Sequence, residues 1–116
     1  MTMRRIDWDD VLALGRELPE TEESTSYGRP SLKVRGKSFV TIRERPDALV
    51  VRCDGDEKPF LLEARPDLVF TTPHYDGYPY LLVRLDAPLE DVRELVIDSW
   101  LLMAPKKLAK EIADTL

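Results

Sequence analysis

The stretch Arg29-Pro30-Ser31-Leu32-Lys33-Val34-Arg35-Gly36-Lys37-Ser38-Phe39-Val40-Thr41-Ile42-Arg43 decides the fold class. Leu32 and Val34 alternate with Lys33 and Arg35, which is the period of a half-buried strand. Gly36-Lys37 is a turn signal, and residues 39–43 read as a second strand. Two registers compete. A tight turn sets Val34 opposite Phe39 and Leu32 opposite Thr41, which splits the apolar residues between two faces. An extra turn residue or a bulge sets Val34 opposite Val40 and Leu32 opposite Ile42. The second is expected, because it gathers four apolar residues on one side. Lys33, Arg35, Thr41 and Arg43 then share the outer face with Phe39.

Working outward, Arg45-Pro46-Asp47-Ala48 is a turn with Pro46 and Asp47 suited to its centre. Residues 49–53 make a third strand, so the three form an antiparallel meander. Asp54-Gly55-Asp56 breaks the sheet, and 58–64 reads as a short helix with Phe60, Leu61 and Leu62 as its apolar content. A fourth strand covers 68–71 and a fifth 80–85. Between them lies a long loop, Thr72-Pro73-His74-Tyr75-Asp76-Gly77-Tyr78-Pro79-Tyr80, pinned by two prolines and turned at Asp76-Gly77.

Helices close both ends. The first starts near Asp7, a capping residue, with Asp9 and Asp10 in the turn where the helix dipole favours anions. Trp8, Val11, Leu12, Gly15 and Leu18 form its apolar face, and Pro19 ends it. Glu20, Glu22 and Glu23 follow as a solubilising linker. Pro88 opens the main C-terminal helix, whose face is Leu89, Val92, Leu95, Val96, Ser99, Leu102 and Met103, with Trp100 at its edge. Pro105 starts a further helix carrying Lys106, Lys107 and Lys110. The reading is one α+β domain over 1–116, an antiparallel sheet of about five strands packed against N- and C-terminal helices.

The 116 residues carry a formal net charge of −5. That opposes indiscriminate binding to nucleic acid. The average hides an asymmetry. Residues 29–52 hold seven basic side chains against two acids, a local net of +5 that leaves −10 for the rest. A charged outer face is also what any half-solvated ribbon needs. No apolar run approaches the ~18 residues of a membrane span, and the two N-terminal arginines lack the apolar core of a signal peptide. With a single cysteine and so no internal disulfide, a cytoplasmic setting is expected.

Catalytic apparatus is sparse. Cys53 and His74 are the sole Cys and His, too few for a zinc site. Cys53 ends a buried strand and reads as a packed thiol. Five scattered glycines match no phosphate-binding fingerprint. His74, beside Tyr75, Asp76 and Tyr78, has the chemistry of a general acid or base. Its expected role is to order its own loop by bonding to backbone, with ligand contact second. No enzyme class emerges, and no cofactor is called for.

Four pieces carry a resemblance over nearly the whole length. They are Leu18-Pro19 followed by acids; Tyr27-Gly28-Arg29-Pro30 leading to Lys33-Val34-Arg35-Gly36-Lys37-Ser38-Phe39; Thr72-Pro73-His74-Tyr75 with Gly77-Tyr78-Pro79; and Ser99-Trp100 with Pro105-Lys106-Lys107-Leu108. In order and spacing the chain resembles the MmcQ/YjbR family of small bacterial proteins, with Ser31-Leu32 standing where that family often has a larger aromatic. The resemblance implies a frataxin-like (CyaY-like) α+β fold and DNA binding through a "double wing". The candidate phosphate contacts are Arg29, Lys33, Arg35, Lys37, Arg43 and Arg45 on the ribbon, with Lys106 and Lys107 at a helix start. His74, Tyr75 and Tyr78 are the loop or ligand candidates. The partners expected are DNA or another protein, without membrane, for a monomer or weak homodimer. A protein-interaction module is one alternative. A frataxin-like acidic metal-binding protein using Asp7, Asp9, Asp10, Glu20, Glu22 and Glu23 is the other.

Overall fold

The computed structural model describes residues 5–44 and 47–115. Arg45 and Pro46, at the centre of the turn expected there, lie outside those residues. The elements run α1 (Trp8–Gly15), β1 (Thr21–Ser26), β2 (Arg29–Val34), β3 (Lys37–Arg43), β4 (Ala48–Arg52), α2 (Lys58–Ala64), β5 (Val69–Phe70), β6 (Tyr80–Arg84), α3 (Leu89–Met103) and α4 (Lys106–Ala113). The six strands form one antiparallel sheet in the order β1-β2-β3-β4-β6-β5.

The sheet has one strand more than the sequence reading. Thr21–Ser26, which contains Glu22 and Glu23 of the expected linker, pairs with β2 over six residues, from Thr21↔Val34 to Ser26↔Arg29. This strand carries no aliphatic residue because it lies at the end of the sheet and is half solvated, so the alternation that marks the inner strands is missing.

The two hairpins close with the same device. Tyr27-Gly28 and Arg35-Gly36 are two-residue turns in which both residues have positive φ: 52° and 78°, then 50° and 82°. That is the turn whose twist matches the flanking strands. The expected register is therefore corrected. Val34 faces Lys37, not Val40, and Leu32 faces Val40, not Ile42. The bulge exists, but inside the ladder between Leu32 and Lys33, with Phe39 as the extra residue. Phe39, expected on the outer face, is 1% exposed and belongs to the core.

Ser99 accounts for how the sheet tolerates this bulge. Its hydroxyl reaches from α3, accepts from the Arg52 N–H at 2.9 Å and donates to the Phe39 carbonyl. Those two backbone groups follow directly on the Val40↔Val51 pair and would otherwise bond each other. A buried serine in an apolar helix face is thus a patch in the β3–β4 ladder.

The helices cover one side of the sheet. Leu32, Val34, Val40, Leu49, Val51, Leu81 and Val83 meet Val11 and Leu14 of α1 and Val92, Val96 and Trp100 of α3. Trp100, expected at the helix edge, is fully buried. Conversely Leu89, Leu102 and Phe60, counted as apolar-face residues, are exposed. The N-terminal segment is fixed by the expected cap at Asp7, whose side chain accepts from the Asp10 N–H, and by the Ile6 N–H, which bonds to Leu85.

Candidate nucleic-acid interface

The other side of the sheet carries no helix among the described residues. Strand register assigns its residues. Ser24, Ser31, Thr41, Val50, Leu82 and Phe70 form one lateral row across all six strands. A second row is Arg43, Ala48 and Arg84, and a third pairs Arg52 with Tyr80. Ala48, Val50 and Leu82 make a small buried cluster, partly covered by Phe70, Tyr75 and Tyr80. Apolar strand residues are sealed here by aromatic side chains, because no helix reaches them.

Each of three arginines on this face lies over a ring. The Arg43 guanidinium is 5.4 Å from the Tyr75 centroid, that of Arg52 is 5.0 Å from Tyr80, and that of Arg84 is 4.6 Å from Phe70. Arg52 also donates to the Tyr80 hydroxyl at 3.1 Å, and Arg84 to the Pro66 carbonyl at 2.9 Å. The ring contacts, with the hydrogen bonds of Arg52 and Arg84, hold these cations against the sheet.

The 72–80 loop folds over one end of this face. Tyr75 and Asp76 donate their backbone N–H groups to the Thr72 carbonyl, and Tyr78 donates to Tyr75, which closes the expected Asp76-Gly77 turn. His74 is exposed, packs edge-on against Tyr75 at 4.7 Å, and makes no hydrogen bond among the described residues. The backbone bonding expected of His74 is supplied by Lys58 instead. Lys58 is buried at the start of α2, and its Nζ donates at 2.8 Å to both the Tyr75 and the Tyr78 carbonyls. Its role was not legible because the two ends lie 17 and 20 residues apart.

A cleft of about 680 Å³ remains between this loop and the β1–β2 hairpin. Its lining includes Ser26, Tyr27 and Arg29 from the hairpin, Ser38, Thr41, Val50 and Arg52 from the sheet, and His74, Tyr75, Tyr78 and Tyr80 from the loop. A second cleft, of about 820 Å³, is lined by Arg5, Asp7, Arg29, Arg43, Glu44 and Asp47 among others, so it mixes both signs of charge.

The candidate residues therefore divide. By register Arg29, Lys33 and Arg43 stand on the open face, with Glu22 directly opposite Lys33. Arg35 and Lys37 sit at the β2–β3 hairpin tip, and Arg35 is engaged by Glu20 at 2.5 and 3.1 Å. That ion pair pulls the Glu20 carboxyl below its usual range, chiefly through the hydrogen bond from Arg35. Lys106 and Lys107 open α4, which packs on α3 in the helix layer behind the sheet. Arg45 lies outside the described residues. Arg52, Arg84 and Tyr27 were absent from the candidate set and belong to the face or its cleft. Register would have found the arginines, since Arg43 and Arg84 both pair with Ala48.

The chemistry of the remaining candidates is modest. Burial pushes the Cys53 thiol up against the pull of Lys58 and Arg52, as befits a packed side chain. The six acids considered for metal do not converge. Asp7 and Asp10 exchange capping bonds, Glu20 holds Arg35, and no group of three or more metal-ligating side chains occurs among the described residues. No helix among them is long and apolar enough to cross a membrane.

A protein-family model described as YjbR matches residues 16–102. The chain is 34% identical over 119 residues to proteins named Uncharacterized protein Mb2600, from Mycobacterium bovis, and Uncharacterized protein Rv2570, from Mycobacterium tuberculosis, covering 89% of this chain and 92% of each relative. A crystal structure of Deinococcus radiodurans protein DR2400, family-model domain DUF419, superposes with a TM-score of 0.71 at 24% identity, over 97% of this chain and 91% of that one. That likeness is one of fold.

Proposed function

The chain belongs to the YjbR family, and on that premise we propose that it is a non-catalytic nucleic-acid-binding protein that engages phosphates with the open face of its sheet. One observation carries the reading. Arg43, Arg52 and Arg84, from three neighbouring strands, share the face that no helix covers among the described residues, each with its guanidinium over an aromatic ring. Arg29 and Lys33 extend the same face toward β1. Glu22 stands on this face opposite Lys33, while a group of other acids lies in the helix layer. Asp9 and Asp10 are on α1, and Glu90, Asp91, Glu94 and Asp98 are on α3, in the helix layer. The arginines gathered on the open face favour the approach of a polyanion from that side.

This reading moves the contact surface from the tips of a basic ribbon to the flat of the sheet. The unit proposed to act is the one domain over residues 1–116, in a cytoplasmic setting. The test is a titration of a labelled oligonucleotide at low and moderate salt. Affinity should fall as salt rises, with log K linear in log salt at a slope of about −2 to −4 for three to five phosphates neutralised. No binding at low salt, or salt-independent binding, would contradict the proposal.

A protein-interaction module is the second reading, favoured by the outer edge of β1, which has no strand partner among the described residues. Native mass spectrometry showing a dimer that mutation of that edge dissolves would support it over the first.

A further inference from the structure

We propose that the cleft between the β1–β2 hairpin and the 72–80 loop receives an unpaired base, so that the nucleic acid bound is single-stranded. This rests on the nucleic-acid reading above and narrows it. The starting point is Tyr27. It occupies the left-handed region at φ 52°, in a turn position that Asn, Asp or Gly fill at less cost. Its side chain is wholly exposed, so the ring returns nothing to folding. Backbone strain with no structural return marks a functional position.

The cleft that Tyr27 borders supplies what a base needs. Tyr78 stands on the opposite rim, 60% exposed, and Tyr75 forms part of the wall. Exposed tyrosines offer stacking surface to any base, whatever its identity. The Ser38 hydroxyl in the same lining bonds the Ser31 hydroxyl at 2.7 Å and keeps acceptor capacity for a base edge. Arg29 and Arg52 line the cleft as well, and Arg52 is held in place by Tyr80. They suit the phosphates flanking the base. A volume near 680 Å³ is in the range of small-molecule sites, about 300–1,000 Å³. A base inside a duplex keeps both faces stacked and cannot enter. An unpaired one can.

The experiment is fluorescence anisotropy with three probes of equal length: a single-stranded oligonucleotide, its duplex, and an abasic oligonucleotide that keeps the phosphates. The single strand should bind about tenfold or more tighter than the other two. Tyr27→Asn and Tyr78→Ala should each weaken it about 5- to 100-fold and leave abasic binding unchanged. Tyr27→Asn creates the favoured Asn-Gly turn, so a loss of binding there is not a loss of fold, and an unfolding curve verifies this. Equal affinity for single-stranded and abasic probes, or unchanged binding by both variants, overturns the base site while the phosphate reading stands. Failure of all three probes to bind overturns both.

Discussion

The Lys58 ammonium lies 2.8 Å from the Tyr75 carbonyl oxygen, and at the same distance from that of Tyr78, so one buried cation ties α2 to the loop that borders the cleft. Lys58→Met keeps the apolar stem and removes the donor. Two backbone carbonyls then lose their bond to the ammonium and keep only those from the Tyr78 and Tyr80 N–H groups, at a cost of about 1–3 kcal/mol. Urea unfolding should show that loss. Amide exchange should accelerate in residues 72–80 more than in β4 or α3, because the tether acts locally.

Ser99→Ala removes the hydroxyl that bridges the Arg52 N–H and the Phe39 carbonyl. Both groups sit just past the last β3–β4 pair and bond to the hydroxyl rather than to each other. A stability loss of about 1–3 kcal/mol is expected in chemical denaturation. Ser99→Thr should recover part of it, since the hydroxyl is kept.

These two residues show where the sequence was readable and where it was not. Hydrophobic periodicity located α1, the short helix at 58–64, β3, β4, β6 and both C-terminal helices, because each packs apolar residues against the core. It could not find β1, whose side chains are all polar and at most half-buried. It misjudged Phe39, because a bulge breaks the alternation that the register argument depends on. The candidate site was half legible. Charge density pointed to residues 29–52, but a count of cations cannot tell Arg43 on the open face from Arg35 bound to Glu20. Contacts between side chain and distant backbone, such as Lys58 to Tyr78, leave no local pattern at all.

Tyr27→Asn separates folding from function. The left-handed backbone at Tyr27 costs about 1–2 kcal/mol in a residue with a Cβ, and Asn tolerates it better. The variant should unfold at higher denaturant, by about 0.5–1 kcal/mol, while binding single strands less well. A tyrosine kept only for folding would show the reverse.

Asp98 gives stability a pH dependence of definite sign. Burial first, then the carboxylates of Glu57 and Glu94, push its carboxyl above the usual aspartate value. The native state therefore holds that proton more tightly than the unfolded chain does. The resulting stabilisation is present below the unfolded value, about 3.9, and is lost as pH rises through the higher folded one. Asp98→Asn should raise the unfolding midpoint at pH 7 and give no such gain below that unfolded value. The gain should be small, because the residue is exposed to solvent at its edge.

The most direct test of the account compares two charge reversals by anisotropy titration at low salt. One is Arg29→Glu with Arg52→Glu on the open sheet face, and the other is Lys106→Glu with Lys107→Glu on α4. Each changes the net charge by the same amount. If the sheet face is the interface, the first should abolish oligonucleotide binding, and the second should change it less than about threefold, through long-range repulsion alone. Equal losses from the two, or a greater loss from the α4 pair, would contradict the account.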